Sequence, residues 1–164
     1  LAPAGVPDIR VIVYRGVPVM AMMRLPTHRS GGRANLHQGA IGVGIDLVTG
    51  ISNHAVVHST PIRENPDSGE ELVARKVPGF ARVLEIAVAA ADETGLGYLG
   101  ADVGLDKYKG PLLLELNARP GRAIQVANGR GLRPRIELAE QEALACDRAA
   151  RERVQFSVKQ IAGL

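Results

Sequence analysis

The 164-residue sequence has no tryptophan, and aromatic residues make up only 3% of it. Nucleic-acid bases usually stack on aromatic side chains, so this composition argues against a protein that binds single-stranded nucleic acid. Lysine and arginine are spread along the chain without a basic run, and the net charge of +3 suits an anionic small molecule at least as well. We therefore expect an aliphatic core and no nucleic-acid partner.

Cysteine and long apolar runs are equally scarce. The single cysteine, Cys146, excludes an internal disulfide and suits the reducing cytoplasm. No apolar stretch reaches the roughly 18 residues that span a bilayer, and the first residues lack the features of a signal peptide. The sequence starts at Leu1 rather than methionine, which favours a fragment. We expect a cytoplasmic protein without a membrane partner.

The apolar residues, 46% of the chain, are arranged as strands followed by helices. Alternation of β-branched residues predicts two strands that form a hairpin around Arg15 and Gly16. Helical spacing and a terminal Gly95 predict a helix over 80–94, and further helices are expected at 123–128 and in two pieces over 136–162. The order predicts an α+β fold, an antiparallel sheet with helices packed on one face. The predicted strands are 8–14, 17–24, 39–47, 54–60, 98–106 and 111–117.

The segment from Gly110 to Gly121 carries the strongest chemical signal. Glu115 and Asn117 are two residues apart on an apolar strand, so their side chains point to the same face. Asp102 lies in the preceding strand, and if the two strands pair antiparallel it can face Glu115 and Asn117. Two carboxylates and an amide oxygen on one face would suit Mg²⁺ with bound phosphate.

Four stretches resemble the C-terminal subdomain of the ATP-grasp superfamily, and most closely its α-L-glutamate ligase-like branch, which includes the ribosomal-protein glutamate ligase. They occur in the family's order over roughly two-thirds of the chain. The stretches are Asp8-Ile-Arg10, Arg33-Ala-Asn35-Leu-His37-Gln-Gly39, Gly100-Ala-Asp102 and Glu115-Leu-Asn117-Ala-Arg-Pro-Gly121.

This resemblance implies an ADP-forming carboxylate–amine ligase that uses ATP and Mg²⁺. It gives Asp102, Glu115 and Asn117 the role of metal ligands. Arginine pairs in bidentate fashion with phosphate or carboxylate oxygens. Arg33 and Arg24 are therefore predicted catalytic residues, and Asn35 and Arg10 are predicted to contact ATP. Alternation with the inward-facing residues beside it nevertheless favours a solvent-facing structural role for Arg10.

The family's nucleotide pocket also draws on upstream subdomains, which we expect as partners of this chain. We expect residues 1–135 to form the C-terminal ATP-grasp subdomain and residues 136–164 a helical extension. The resemblance implies small-molecule or peptide carboxylate and amine substrates, the amine being that of an amino acid such as glutamate. Residues 61–77 look like an insertion relative to the ribosomal-protein ligase, so the acceptor stays open.

Other readings of the same residues remain. The chain could be a noncatalytic ATP-grasp-like domain that binds a ligand or partner within a larger protein, although three intact metal oxygens argue against that. A basic nucleic-acid-binding module is disfavoured by the dispersed charge. His37 is more simply a hydrogen-bonded loop histidine than a base, and Cys146 a small packed residue in a helix. The other histidines lack the spacing of zinc ligands.

Overall fold

A computed structural model describes residues 5–145 and 149–164, and its strands form one antiparallel sheet. The strand order is β5-β4-β3-β2-β1-β6-β7, so β1 lies between β2 and β6. The α+β class with an antiparallel sheet is thus confirmed. Cys146 lies outside the described residues. The strands are β1 (Asp8–Tyr14), β2 (Val17–Leu25), β3 (Ile41–Ile45), β4 (Ser52–Val57), β5 (Thr60–Pro61), β6 (Tyr98–Asp106) and β7 (Gly110–Asn117).

Four α-helices accompany the sheet in the described ranges: α1 (Phe80–Thr94), α2 (Ala123–Asn128), α3 (Arg133–Ala145) and α4 (Ala150–Phe156). Helix α1 has the predicted bounds and ends at the left-handed Gly95. The glycine-rich loop, which connects β2 to β3, contains one short 3₁₀ helix (Leu36–Gln38). A π-helical turn (Ser157–Ile161) follows α4. No helix in the described residues is long and apolar enough to cross a bilayer.

The two faces of the sheet differ in chemistry. One face is aliphatic, and its central residues Val11, Ala101 and Val103 are fully buried. Helix α1 packs against β1, β6 and β7. The other face carries the charged residues and is covered in part by α2, so helices pack on both faces of the sheet rather than on the one face expected. A side chain at Gly44 would come within 2.6 Å of the carbonyl oxygen of Ala127, so this glycine lets α2 approach the sheet closely.

The helices after residue 135 join the same core as the sheet. Ile161 is fully buried, and Val154 and Ala162 are nearly so. Helix α3 begins at Arg133, before the start of the expected extension, and contacts β1 and β2. The division into 1–135 and 136–164 therefore stays a prediction, with the second part packed on the first.

The hairpin of β1 and β2 contains a β-bulge. Tyr14 pairs with Val17 across the turn, but the register shifts by one residue at Val19. Side chains from the C-terminal helices bind the carbonyl groups here: Arg135 Nη1 donates to Val19 O at 3.0 Å, and the Ser157 hydroxyl donates to Pro18 O. The buried Arg135 thus places a cation beside a backbone carbonyl that the bulge leaves near the core.

Candidate functional site

A four-residue charge network lies at the centre of the polar face. Asp102 is 2% exposed and accepts a bidentate pair from Arg10, with Nε–Oδ1 at 2.7 Å and Nη2–Oδ2 at 2.6 Å. Arg24 binds Asp8 in the same bidentate way, at 2.7 and 2.5 Å, and its Nη2 also reaches Asp102 Oδ2 at 2.6 Å. Two acids and two guanidinium groups balance each other in this partly buried network.

Burial and pairing shift the proton affinities of this network. Burial raises the pKa of Asp8 above its usual value, and the hydrogen bonds from Arg24 oppose that shift. Burial disfavours a charged Arg24, yet the hydrogen bond and charge of Asp8, together with Asp102, raise the pKa of Arg24. Arg24 therefore stays cationic, as a residue that binds anions must.

Strand pairing places the predicted metal ligands side by side. Asp102 is directly opposite Glu115, and Asn117 is opposite Gly100, the next position on the same face of β6. Asn117 Nδ2 lies 3.3 Å from Asp102 Oδ2. The expected antiparallel hairpin is thus present, and it brings Asp102, Glu115 and Asn117 to one face.

Some of the side-chain oxygens of Asp102, Glu115 and Asn117 are available to bind Mg²⁺. Glu115 is exposed, and its carboxylate has no partner in the described residues. Asn117 donates through its nitrogen, which leaves its oxygen available. Asp102 Oδ2 already accepts from Arg10, Arg24 and Asn117, whereas Oδ1 accepts only from Arg10. Carboxylate and amide oxygens are the ligands Mg²⁺ prefers, so Glu115, Asn117 and Asp102 Oδ1 would hold it.

The described residues contain no competing metal cluster. In residues 5–145 and 149–164, no three His, Cys, Asp or Glu side chains come together around one point. The assignment of Asp102, Glu115 and Asn117 to a metal stays a prediction.

A cleft of about 350 Å³ opens over the network. It collects side chains from β1, β2, the glycine-rich loop, β7 and the segment that leads into α2. Arg10, Arg24, Asn35, Glu115 and Asn117 all line it. Five predicted residues that are distant in sequence therefore meet at one concave surface, as expected for a ligand site, whereas the buried Asp102 does not line it.

Two predicted residues differ from their expected setting. Arg10 does not face solvent: its side chain is 13% exposed and paired with Asp102, so the solvent-facing interpretation was wrong. Arg10 does alternate with its neighbours, but the face on which it lies carries Asp102 and the cleft rather than open solvent. Arg33 is exposed and does not line the cleft, and its catalytic role stays a prediction.

The loop residue Asn35 has a local structural task as well. Its Oδ1 accepts a hydrogen bond from the backbone N–H of His37 at 3.0 Å and so caps the 3₁₀ helix. The cap fixes the loop backbone while the amide nitrogen of Asn35 stays available to a ligand. The loop is anchored further by Thr27 and Ser30, which are buried and hydrogen-bonded to each other.

Sequence reasoning missed Asp8 as a site residue. In the sequence Asp8 stands out only as the start of a strand and of the Asp8-Ile-Arg10 stretch, yet both of its oxygens hold Arg24. An acid and an arginine at the far ends of a predicted hairpin were the available signal. The two-residue turn alone would have placed Asp8 opposite Met23, so the signal was incomplete without the bulge.

The chain is similar to a known protein family and to solved structures. A family profile described as sugar-transfer associated ATP-grasp matches residues 1–141. Among solved structures, one described as "Structure of ATP-grasp ligase PsnB complexed with minimal precursor" is similar at 17% identity and a TM-score of 0.43. The match covers 87% of this chain and 35% of that one, so the chain spans about a third of its length. No curated protein matches.

The family match supports the ATP-grasp superfamily and does not extend to the glutamate-ligase branch. The family match covers most of the chain and includes each of the residues that line the cleft. The chain belongs to the sugar-transfer associated ATP-grasp family.

Proposed function

We propose that this chain forms part of an ATP- and Mg²⁺-dependent ligase that joins a carboxylate to an amine and releases ADP and phosphate. The observation that carries the proposal is the cleft in which Arg10, Arg24, Asn35, Glu115 and Asn117 converge. Two cations, one carboxylate and two amides at a concave surface match the charge pattern of a phosphate with its metal ion. Membership of the ATP-grasp superfamily supports the same reaction class.

The two arginines are prepared for an anionic ligand. Each uses Nε and Nη2 for carboxylates, and in the described residues the Nη1 of each has no hydrogen bond. The bidentate pairs fix both guanidinium planes, so little side-chain freedom is lost when a ligand binds. Arg10 and Arg24 would donate through Nη1 to the phosphoryl group that is transferred.

The proposed reaction has two steps. An oxygen of the substrate carboxylate attacks the γ-phosphorus of ATP, and the bond from that phosphorus to ADP breaks. The amine nitrogen then attacks the acyl carbon, phosphate leaves with the bonding electrons, and the nitrogen loses a proton. Mg²⁺, when bound, would neutralise the charge of the phosphate oxygens. Glu115, Asn117 and Asp102 Oδ1 would hold that ion. Arg10 and Arg24 would stabilise the charge that builds in transfer.

The finer parts of the proposal rest on the sequence resemblance. The amine would belong to an amino acid such as glutamate, and the acceptor would be a small-molecule or peptide carboxylate. Other ATP-grasp subdomains would supply the adenine pocket, and Arg33 would act in catalysis from the loop. The single cysteine favours a cytoplasmic setting.

One observation favours the noncatalytic alternative. Both oxygens of Asp102 accept hydrogen bonds from Arg10, so this carboxylate can stabilise the sheet without any ligand. A domain that only binds a ligand through its arginines would keep this network and would not need Glu115. The two functions therefore differ in what they require of Glu115.

Replacement of Glu115 in the protein that contains this chain tests the choice. We expect Glu115→Gln to lower ADP release by at least ~10²-fold, the scale for loss of a main electrostatic stabiliser. Glu93→Gln, at an exposed position of α1, is the matched control and should keep the parental rate. Hydroxylamine should trap the activated carboxylate as a hydroxamate in the parent. ADP release by Glu115→Gln at the parental rate would contradict the ligase.

A further inference from the structure

A second cavity adjoins the cleft on the same face of the sheet. Its volume is about 570 Å³, and it shares Leu36, His37 and Ala123 with the cleft as a common wall. No predicted site residue lines it. The lining residues are Leu36, His37, Val56, His58, Ser59, Arg122, Ala123 and Val126.

The polar side chains of this cavity are donors without an internal partner. His37, His58 and Arg122 make no side-chain hydrogen bond or ion pair in the described part of the chain, and no acidic residue lines the cavity. The guanidinium of Arg122 is thus free to pair with an anion. The remaining wall is aliphatic, formed by Leu36, Val56 and the 40% exposed Val126.

The turn that presents two of these residues is strained. His58 and Ser59 connect β4 to β5 and have φ angles of 45° and 68°. A two-residue hairpin turn of this kind usually contains Asn-Gly, because L side chains rarely adopt left-handed angles. Strained backbone of this kind is concentrated at functional sites, so we infer that His58 and Ser59 serve a ligand site.

We propose that this cavity binds the carboxylate substrate of the ligase, and that the substrate carries a second anionic group. This inference rests on the proposed function. The reacting carboxylate would lie at the shared wall, within reach of a phosphoryl group over Arg10 and Arg24. The carbon skeleton would pack on Leu36 and Val126, and the second anion would pair with Arg122.

The chain positions these contacts through consecutive residues. Gly121 lines the cleft, Arg122 lines the cavity, and Ala123 lines both. One short segment thus passes from the phosphate side to the substrate side. A monocarboxylate of the same length would pack against the aliphatic wall but leave Arg122 without its partner. We therefore expect the cavity to prefer a diacid to a monoacid.

Titration calorimetry with matched acids tests the proposal in the protein that contains this chain. The probes are glutarate against pentanoate and adipate against hexanoate, which differ in one terminal carboxylate. We expect each diacid to bind about tenfold more tightly, the scale of one charge-assisted hydrogen bond. Arg122→Ala should abolish this preference, while Arg130→Ala, which removes an exposed arginine outside the cavity, should keep it.

A second variant separates binding from folding. The double substitution His58→Asn and Ser59→Gly relieves the turn, so the melting temperature should rise or stay equal while the preference for diacids weakens. Equal affinity for diacid and monoacid, a preference that survives Arg122→Ala, or no diacid binding at all would overturn the proposal. A diacid preference without ADP release would refute the ligase alone, and ADP release without the preference would refute the cavity alone.

Discussion

At the scale of single residues, Arg24 is the centre of the site. It is the one member of the network that pairs with both Asp8 and Asp102, whereas Arg10 pairs with Asp102 alone. Removal of one partner from a buried ion pair costs more than the pair itself contributes, because the remaining charge keeps its desolvation penalty. The two arginines should therefore differ in their effect on stability.

Comparison of Arg24→Met with Arg10→Met tests this asymmetry. Arg24→Met leaves Asp8 buried without a cation and should lower the free energy of unfolding by about 3–5 kcal/mol. Arg10→Met leaves Asp102 paired with Arg24 and should cost about 1–3 kcal/mol. Urea unfolding at neutral pH measures both, with the exposed Arg130→Met as a control expected within about 0.5 kcal/mol of the parent. Equal losses for the two arginines would contradict the asymmetry.

At the scale of elements, the C-terminal helices support the hairpin that carries the site. Arg135 and Ser157 bind the carbonyl groups of Val19 and Pro18, beside the bulge that sets the register of Arg24. Burial, together with the charge of Arg130, lowers the pKa of Arg135. The hydrogen bond from this buried arginine to Val19 fits a role in stabilising the bulge.

Substitution of Arg135 tests whether the helices matter to the site. Arg135→Gln should weaken the bond to Val19 and lower the free energy of unfolding by about 1–3 kcal/mol. It should also weaken nucleotide turnover in the protein that contains the chain, because Arg24 loses its fixed register. Arg133→Gln, at an exposed position of the same helix, should leave both unchanged. A stability loss with full turnover would show that the bulge does not position Arg24.

At the scale of the whole molecule, the site is open and polar. The cleft of about 350 Å³ lies at the lower end of ligand pockets, and its lining offers little apolar surface for an adenine base. One aliphatic core supports it from behind and includes residues from the sheet and from the C-terminal helices. The chain thus presents a phosphate-facing surface on a rigid support.

Nucleotide affinity of the 164-residue chain alone follows from this shape. We expect Mg·ATP to bind with a Kd of about 1 mM or weaker, because the base would find no enclosing wall and each ~1.4 kcal/mol of lost contact weakens binding tenfold. Calorimetric titration of the chain gives the value. Micromolar affinity would mean that the pocket is complete within these residues.

Much of the fold and part of the site could be predicted from local pattern. Periodicity gave the bounds of α1 and the existence of both hairpins, and the spacing of Glu115 and Asn117 placed them on one face. These features depend on neighbours within a few residues, so a single sequence contains them. The environment of Arg10 could not be predicted, because the pattern marks a face and not what covers it.

The sequence by itself determined which residues have the chemistry, and the tertiary structure decided which of them meet. From the turn between Asp106 and Gly110, an unbroken ladder would pair Asp102 with Leu114. A bulge shifts the register so that Asp102 faces Glu115 instead.

The bulge in the first hairpin has the same effect on Arg24, which it places opposite Asp8. Alternation is a local property of the chain, whereas a one-residue shift moves a side chain to the other face and is stabilised by distant contacts. In this protein those contacts come from Arg135 and Ser157, more than 100 residues from the hairpin. Only the folded chain brings them together.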